Sequence, residues 1–243
     1  MTPISIIIPT LNEQGYLPRL LESIVGQDYK CAYEVIIVDG GSTDQTVNIV
    51  HEYMKQIPTL SLYKYKKGTS RQRNYGVTKA KYNYLVFLDG DTELTKYSLK
   101  RIAKDIKNKD DFVAVPVLYP YDGKLIDIIF GAVAYLYFLA VSRTNPIISG
   151  MCIITTKRTH DRIGGFNEKM AHAEDIDYGL RAYHSGSKYH IFFNVTVTSS
   201  ARRLSQIGRI KLGRMWMRWY KNVIKDREIA DRDKAAYEFG KFK

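Results

Sequence analysis

Short β-branched runs alternate along this chain with stretches whose apolar residues recur every three to four positions. The runs at 4–9, 34–38, 60–65 and 84–88 read as buried strands, and 112–118 and 152–155 continue the series. Between them, Leu17, Leu20, Leu21 and Ile24 fall on one helical face. A second helix is expected over 43–54, entered through Ser42 and Thr43, and a third over 72–81. Strands separated by helices of this length favour parallel pairing through right-handed crossovers. The expected fold class is therefore α/β: a Rossmann-like, mostly parallel sheet flanked by helices. In such sheets ligands lie beyond the carboxyl ends of the strands, near a switch in strand order. The polar clusters after the first, second and fourth strands should converge there.

The longest apolar stretch, 126–141, is interrupted only by Asp127. Its uninterrupted part, about 14 residues, is short of the ~20 that cross a bilayer, and it reads as a buried or interfacial helix. From Leu212 onward, Arg214, Arg218, Lys221 and Lys225 form one stripe of an amphipathic helix. Leu212, Met215, Trp216, Trp219 and Val223 form the other, and Ile210, Met217 and Ile224 widen it. Two readings stand: contact of 205–225 with a membrane surface, or a helix docked on its own domain. The expected organisation is a body over 1–200 and a basic helical extension over 201–243.

Charge sharpens that division. The net charge is +12, of which residues 201–243 carry +8. Concentrated on one end, and without a zinc-finger, RNP or helix-turn-helix signature, it argues against a nucleic-acid partner. Cys31 and Cys152 provide no disulfide framework or zinc site, and Met1-Thr-Pro-Ile-Ser leads into a strand without a basic leader. A cytoplasmic location, in contact with the membrane surface if the tail binds lipid, is expected. The histidines show no metal-ligand spacing, and His172, the one nearest the candidate site, reads as a surface residue.

The candidate chemistry starts from Asp89-Gly90-Asp91, directly after the fourth strand. On an extended backbone, carboxylates two positions apart point the same way and suit a hard cation, Mg²⁺ or Mn²⁺. Alone, the motif is equally an ordinary polar turn. Pro9-Thr10-Leu11-Asn12-Glu13 follows the first strand and Asp39-Gly40-Gly41-Ser42-Thr43-Asp44 the second. Ser70-Arg71-Gln72-Arg73-Asn74-Tyr75-Gly76 opens a helix, and Gly164-Gly165-Phe166-Asn167-Glu168 and Ala173-Glu174-Asp175 come later. Asp39 also fits a turn cap, Glu13 a plain helix-start acid, and Glu174 and Asp175 acids complementing a helix dipole. Asp177 and Arg181 read as a helix-surface pair.

As an ordered set over roughly 4–200, these motifs resemble the family 2 glycosyltransferases of GT-A fold. The resemblance implies an inverting transferase using a nucleoside-diphosphate sugar and Mn²⁺ or Mg²⁺. It assigns Asp39 to the nucleotide base, with Pro9, Thr10, Asn12 and Glu13 lining base and ribose. It favours Arg73 over Arg71 near the diphosphate, places Asp91 on the metal, and puts Asp89 and Gly90 at the ribose or metal edge. Asp175 becomes the base and Glu174 its neighbour toward the acceptor. Because a phosphate acceptor needs no base, the pair favours a hydroxyl acceptor on a glycan, glycolipid or glycoprotein. A polyprenyl-phosphate acceptor, or a catalytically silent sugar- or nucleotide-binding relative, is the alternative.

Overall fold

The structure, a computed structural model, describes residues 2–120, 122–141, 146–170 and 172–226. Its first part runs β1 (Ile4–Thr10), α1 (Leu17–Val25), β2 (Tyr33–Asp39), α2 (Thr46–Tyr53), β3 (Leu60–Lys64), α3 (Thr69–Lys79), β4 (Tyr84–Leu88), β5 (Thr92–Leu94) and α4 (Ser98–Ile106). It continues with β6 (Phe112–Pro120), α5 (Leu125–Val141), β7 (Cys152–Thr156), α6 (Lys157–Arg162), α7 (Glu174–His184), β8 (Lys188–Ser199), α8 (Arg202–Ile207) and α9 (Arg209–Asp226). One eight-stranded sheet has the order β3-β2-β1-β4-β7-β6-β8-β5.

The strands β3, β2, β1 and β4 pair in parallel, as their apolar runs imply. Alternate residues of β1 serve opposite faces. Ile4, Ile6 and Ile8 pack with Leu17, Leu20 and Leu21 of α1, whereas Ile7 packs with Val77 of α3 and Phe87. Burial on both faces explains why the strand reads as a continuous apolar run rather than an alternating one. Each fully buried Ile contributes about 1.5–3 kcal/mol. Gly76 lets α3 lie close on β1, since a Cβ there would sit 2.5 Å from Ile7 Cγ2.

Beyond β4 the sheet is mixed. β7 runs antiparallel to both β4 and β6, and β5 antiparallel to β8, while β6 and β8 are parallel. The patterning above places no strand over β8. There the register jumps from Pro116↔Phe192 to Val117↔Thr196, skipping Phe193, Asn194 and Val195, so the alternation is reset mid-strand. Helix α2 also begins later than expected. Asp44, rather than Ser42 or Thr43, accepts the Thr46 N–H at its start, because Ser42 is drawn to Asp39.

The tail helix resolves into two faces. Leu212, Met215, Trp219 and Val223 are buried, and Trp219 packs into a cluster with Ile176 and Leu180 of α7. Trp216, expected beside Trp219, is instead exposed. Docking on the chain's own body therefore accounts for one face of α9. Lys225 and Ile224 belong to the expected stripes, but their side chains lie outside the described residues, as does everything after 226. Asp127, the lone charge in the apolar stretch, accepts the Lys124 N–H at the start of α5 (2.8 Å) and pairs with Arg209 of α9 (2.7 Å). That pair ties the two helices together.

Candidate active site

The carboxyl ends of β1, β2 and β4 meet where the strand order reverses, the position expected for a ligand in an open α/β sheet. Gln72 binds two of these strands: its amide donates to Thr10 O at 2.8 Å and Val38 O at 2.6 Å. The loop after β1 is laced to the loop after β2. The Asn12 N–H donates to Ser42 Oγ, the Glu13 N–H to Thr46 Oγ1, and the Thr43 N–H to Asn12 Oδ1. Asn12 takes a left-handed backbone, φ 56°, which its short polar side chain tolerates. Pro9 and Thr10 sit in β1 opposite Val38 and Asp39. These residues thus form one wall through bonds to each other.

Asp39 is buried, and its carboxylate accepts from the Gly41 and Ser42 N–H groups at 2.8 and 3.0 Å, and from the Ser42 hydroxyl. It caps this turn. A carboxylate offers about four lone-pair sites, so capping leaves acceptor capacity.

Asp89-Gly90-Asp91 does not continue the strand. The Thr92 N–H returns to Asp89 O at 3.1 Å and closes a turn. The same-side argument for an extended backbone therefore fails, and the two carboxylates reach different arginines. Asp89 accepts from Arg73 Nη2 at 2.7 Å; Asp91 pairs with Arg202 Nη2 at 3.1 Å. Arg202 also grips both oxygens of Glu13, at 3.0 and 3.1 Å, with its guanidinium 4.3 Å above the Tyr16 ring. Burial pushes the Glu13 carboxyl up to about 7, with Asp91 and Asp89 adding to the rise and Arg202 opposing it. The helix-start reading of Glu13 misses this ion pair.

Arg73, expected at a diphosphate, is fully buried. Its guanidinium donates to Asp89, to Gly150 O at 2.8 Å and to Glu174 Oε1 at 3.3 Å, and lies 5.0 Å above the Phe166 ring. Arg71 is exposed, 3.8 Å from Glu168. The Asn74 amide pairs with both backbone groups of Phe166, at 2.8 and 2.9 Å. The Arg-Asn and Gly-Gly-Phe motifs thus form one support, with Phe166 stacked in turn on Tyr178.

Asp175 stands at the start of α7. Its Oδ2 accepts the Gly150 N–H at 2.6 Å and its Oδ1 the Ile176 N–H at 2.8 Å. A Cβ on Gly150 would lie 3.1 Å from Asp175 Oδ2 and 3.2 Å from Arg73 Nη2, so the absence of a side chain permits this approach. Burial, then the neighbouring Glu174 carboxylate, pushes the Asp175 carboxyl up to about 7. Such a group changes charge near neutral pH, as a general base requires. The helix begins with Glu174, Asp175 and Asp177, so the dipole reading is compatible with this geometry. Gly150 is the anchor that sequence reasoning missed; nothing local marks it.

Two further expectations change. His172 is buried and stacked on Trp219, with ring centroids 5.1 Å apart, so it is no surface histidine. Asp177 and Arg181 do pair, at 2.6 Å, but Asp177 is buried rather than on the helix surface.

Among the described residues, no group of three or more His, Cys, Asp or Glu forms a ready-made metal cage. Asp89 and Asp91 still fit Mg²⁺ or Mn²⁺, which take one or two carboxylates and fill their other positions with phosphate and water. Arg202 lies against one of these carboxylates, so a cation has positive charge to replace there.

The geometry has relatives. TarS of Staphylococcus aureus, a poly(ribitol-phosphate) beta-N-acetylglucosaminyltransferase, is 29% identical over 195 residues, covering 79% of this chain and 34% of TarS. The chain thus spans about a third of that relative's length. A GalNAc(5)-diNAcBac-PP-undecaprenol beta-1,3-glucosyltransferase of Campylobacter jejuni is 32% identical over 105 residues, 42% of this chain and 34% of the enzyme. Among solved structures, the mannosyltransferase PcManGT of Pyrobaculum calidifontis, in complex with GDP-Man and Mn²⁺, superposes with a TM-score of 0.76. It is 22% identical, and the match covers 96% of this chain and 67% of that one. A structure of TarS residues 1–349 with UDP-GlcNAc gives 0.63 at 26% identity, over 79% of this chain and 58% of that one. The sheet and its flanking helices are of GT-A type. The model for glycosyl transferase family 2 matches residues 5–157, well over half of the sequence, and the chain belongs to that family.

Proposed function

We propose that this chain transfers a glycosyl group, with inversion, from a nucleoside-diphosphate sugar to an acceptor hydroxyl, with Asp175 as general base. The observation that carries the reading is the Asp175 carboxyl. It is held by two backbone N–H groups, pushed up to about 7, and joined to Asp89 through Glu174 and Arg73.

The base of the donor lies against Asp39 and the wall formed by Pro9, Thr10, Asn12 and Glu13. Asp89 and Asp91 would hold Mn²⁺ or Mg²⁺. When bound, the ion stabilises negative charge on the departing nucleoside diphosphate. The acceptor oxygen attacks the anomeric carbon on the face opposite the diphosphate. As that bond forms, the bond from the anomeric carbon to the phosphate oxygen breaks, and its electron pair leaves with the nucleoside diphosphate. Asp175 takes the hydroxyl proton, and general-base assistance of this kind is worth ~10²–10⁴ in rate. Arg73 does not touch the donor in this scheme; it positions Asp89 and Glu174. A hydroxyl acceptor is supported by the likeness to TarS, whose name specifies a ribitol-phosphate polymer.

The test is calorimetric titration with UDP, GDP, dTDP and CMP, each with Mn²⁺ and with EDTA, followed by transfer assays with sugars of the nucleotide that binds. Asp175→Asn is expected to bind that donor and transfer nothing. Undiminished transfer by Asp175→Asn removes the base assignment, and silence from every nucleotide removes the donor site.

A further inference from the structure

The geometry points to the paired outer faces of α5 and α9 as a docking surface for an anionic lipid bilayer. On α5, Leu125, Ile129, Val133 and Leu136 recur at helical spacing on one face and are 72, 51, 62 and 66% exposed. Ile126 extends that row. On α9, Ile210 is 71% exposed, and Met217 and Trp216 also face outward. The packing of α9 against α7 does not use these side chains, since Met215, Trp219 and Val223 cluster with Ile176 and Leu180, and Leu212 is buried beside them.

The helices form one surface. The Asp127–Arg209 ion pair joins them, the Phe130 and Trp216 rings lie 6.4 Å apart, and Gly213 lets Phe130 approach α9 closely. Along α9, where Phe130 of α5 reaches it, lies an open cavity of about 550 Å³ with Phe130, Ile210 and Met217 in its lining. Arg214, Arg218 and Lys221, all exposed, line the same cavity.

An apolar ridge flanked by cations matches the boundary between acyl chains and acidic headgroups. A second copy of the chain is a poorer occupant, because an isologous contact would set this basic rim against itself. Among the described residues, no helix is long and apolar enough to cross a membrane, so the surface lies on the bilayer and does not span it. The surface also adjoins the catalytic region. Trp219 of α9 packs on α7, which begins with Glu174 and Asp175, and α8, just before α9, begins with Arg202. Docking here presents the cleft to acceptors carried by the membrane.

The test needs no donor, so its failure leaves the transfer reading standing. The full chain is sedimented with vesicles of phosphatidylcholine and with vesicles of equal parts phosphatidylcholine and phosphatidylglycerol. Binding is expected to the anionic vesicles, and to weaken with salt. Val133→Asp with Leu136→Asp, and separately Arg214→Glu with Lys221→Glu, should each weaken it by about tenfold or more, with thermal melts showing the variants folded. Lys55→Glu with Lys104→Glu, an equal charge change elsewhere on the surface, should leave most of the binding. The proposal is overturned if the parent chain does not sediment with anionic vesicles, or if the control pair loses as much as the Arg214 and Lys221 pair. It is overturned equally if Val133→Asp with Leu136→Asp dissolves a dimer in analytical ultracentrifugation while vesicle binding stays unchanged.

Discussion

Arg202 holds Glu13 in a two-pronged ion pair across 189 positions of sequence, with Nη1 3.1 Å from Oε2 and Nη2 3.0 Å from Oε1. The same guanidinium reaches Asp91, so the segment after β8 neutralises two buried carboxylates from the front of the sheet. Removing one partner of a buried ion pair costs up to about 3–5 kcal/mol where the other charge stays uncompensated. The cost is less where the stranded carboxyl takes up a proton, as Glu13 can with its value already at about 7. Arg202→Ala is therefore expected to lower the urea midpoint. Mn²⁺ with the cognate nucleoside diphosphate should recover more stability in this variant than in the parent, since a cation can then take the vacated position. Equal stabilisation of both proteins would show that Arg202 and the metal do not share that position.

Asp175 gives a pH prediction with a definite sign. Its folded-state value is raised from 3.8 to about 7, so the folded chain binds the proton more tightly than the unfolded chain. The stability this group contributes is complete below about pH 4 and is lost as pH rises through about 7. Asp175→Asn escapes that loss, so its thermal midpoint relative to the parent should be higher at about pH 8 than at about pH 5. Transfer by the parent should instead rise through about pH 7 as the base loses its proton, and the Asn variant should show neither transfer nor the titration. A midpoint difference that does not change with pH would mean that Asp175 is charged throughout.

Arg73 separates charge from geometry. Arg73→Ala leaves the half-buried Asp89 and Glu174 carboxylates and Gly150 O without their donor. In denaturant titration it should destabilise, by less than the ~3–5 kcal/mol of a fully buried pair. Arg73→Lys keeps the charge but loses the planar fork that serves three acceptors at once. It should fold, bind the nucleoside diphosphate, and transfer about a hundredfold more slowly, the scale of loss from a misplacement near 1 Å. Weaker donor binding with an unchanged turnover rate would instead place Arg73 on the diphosphate.

Gly76→Ala tests the seat of α3. The new methyl would meet Ile7 Cγ2 at 2.5 Å, and overpacking of this kind costs about 1–3 kcal/mol. The gain in helix propensity, about 1 kcal/mol, offsets only part of it. A lower thermal midpoint is expected; an unchanged one would mean that α3 slides on β1 at little cost.

Much of this molecule was legible as pattern. β1, β2 and β4 are buried on both faces, so their apolar runs stand out, and the polar clusters that follow them fall where such a sheet places a ligand. The order of those clusters was enough for the family. Other features needed the folded chain. Strand periodicity suggested that Asp89 and Asp91 point together, but the chain turns at that point and each carboxylate meets its own arginine. Arg73 is expected beside a diphosphate from its place in the motif; that it is also held by Asp89, 16 residues away, and by Glu174, 101 residues away, shows only in the folded chain. β8 was hidden by a register shift that breaks its alternation, and His172 by a tryptophan brought onto it from α9. Local pattern records which side chains avoid water and with what period. Which charge neutralises which, and which face of α9 remains uncovered, depends on contacts between segments far apart in sequence, and these exist only once the sheet and its helices have assembled.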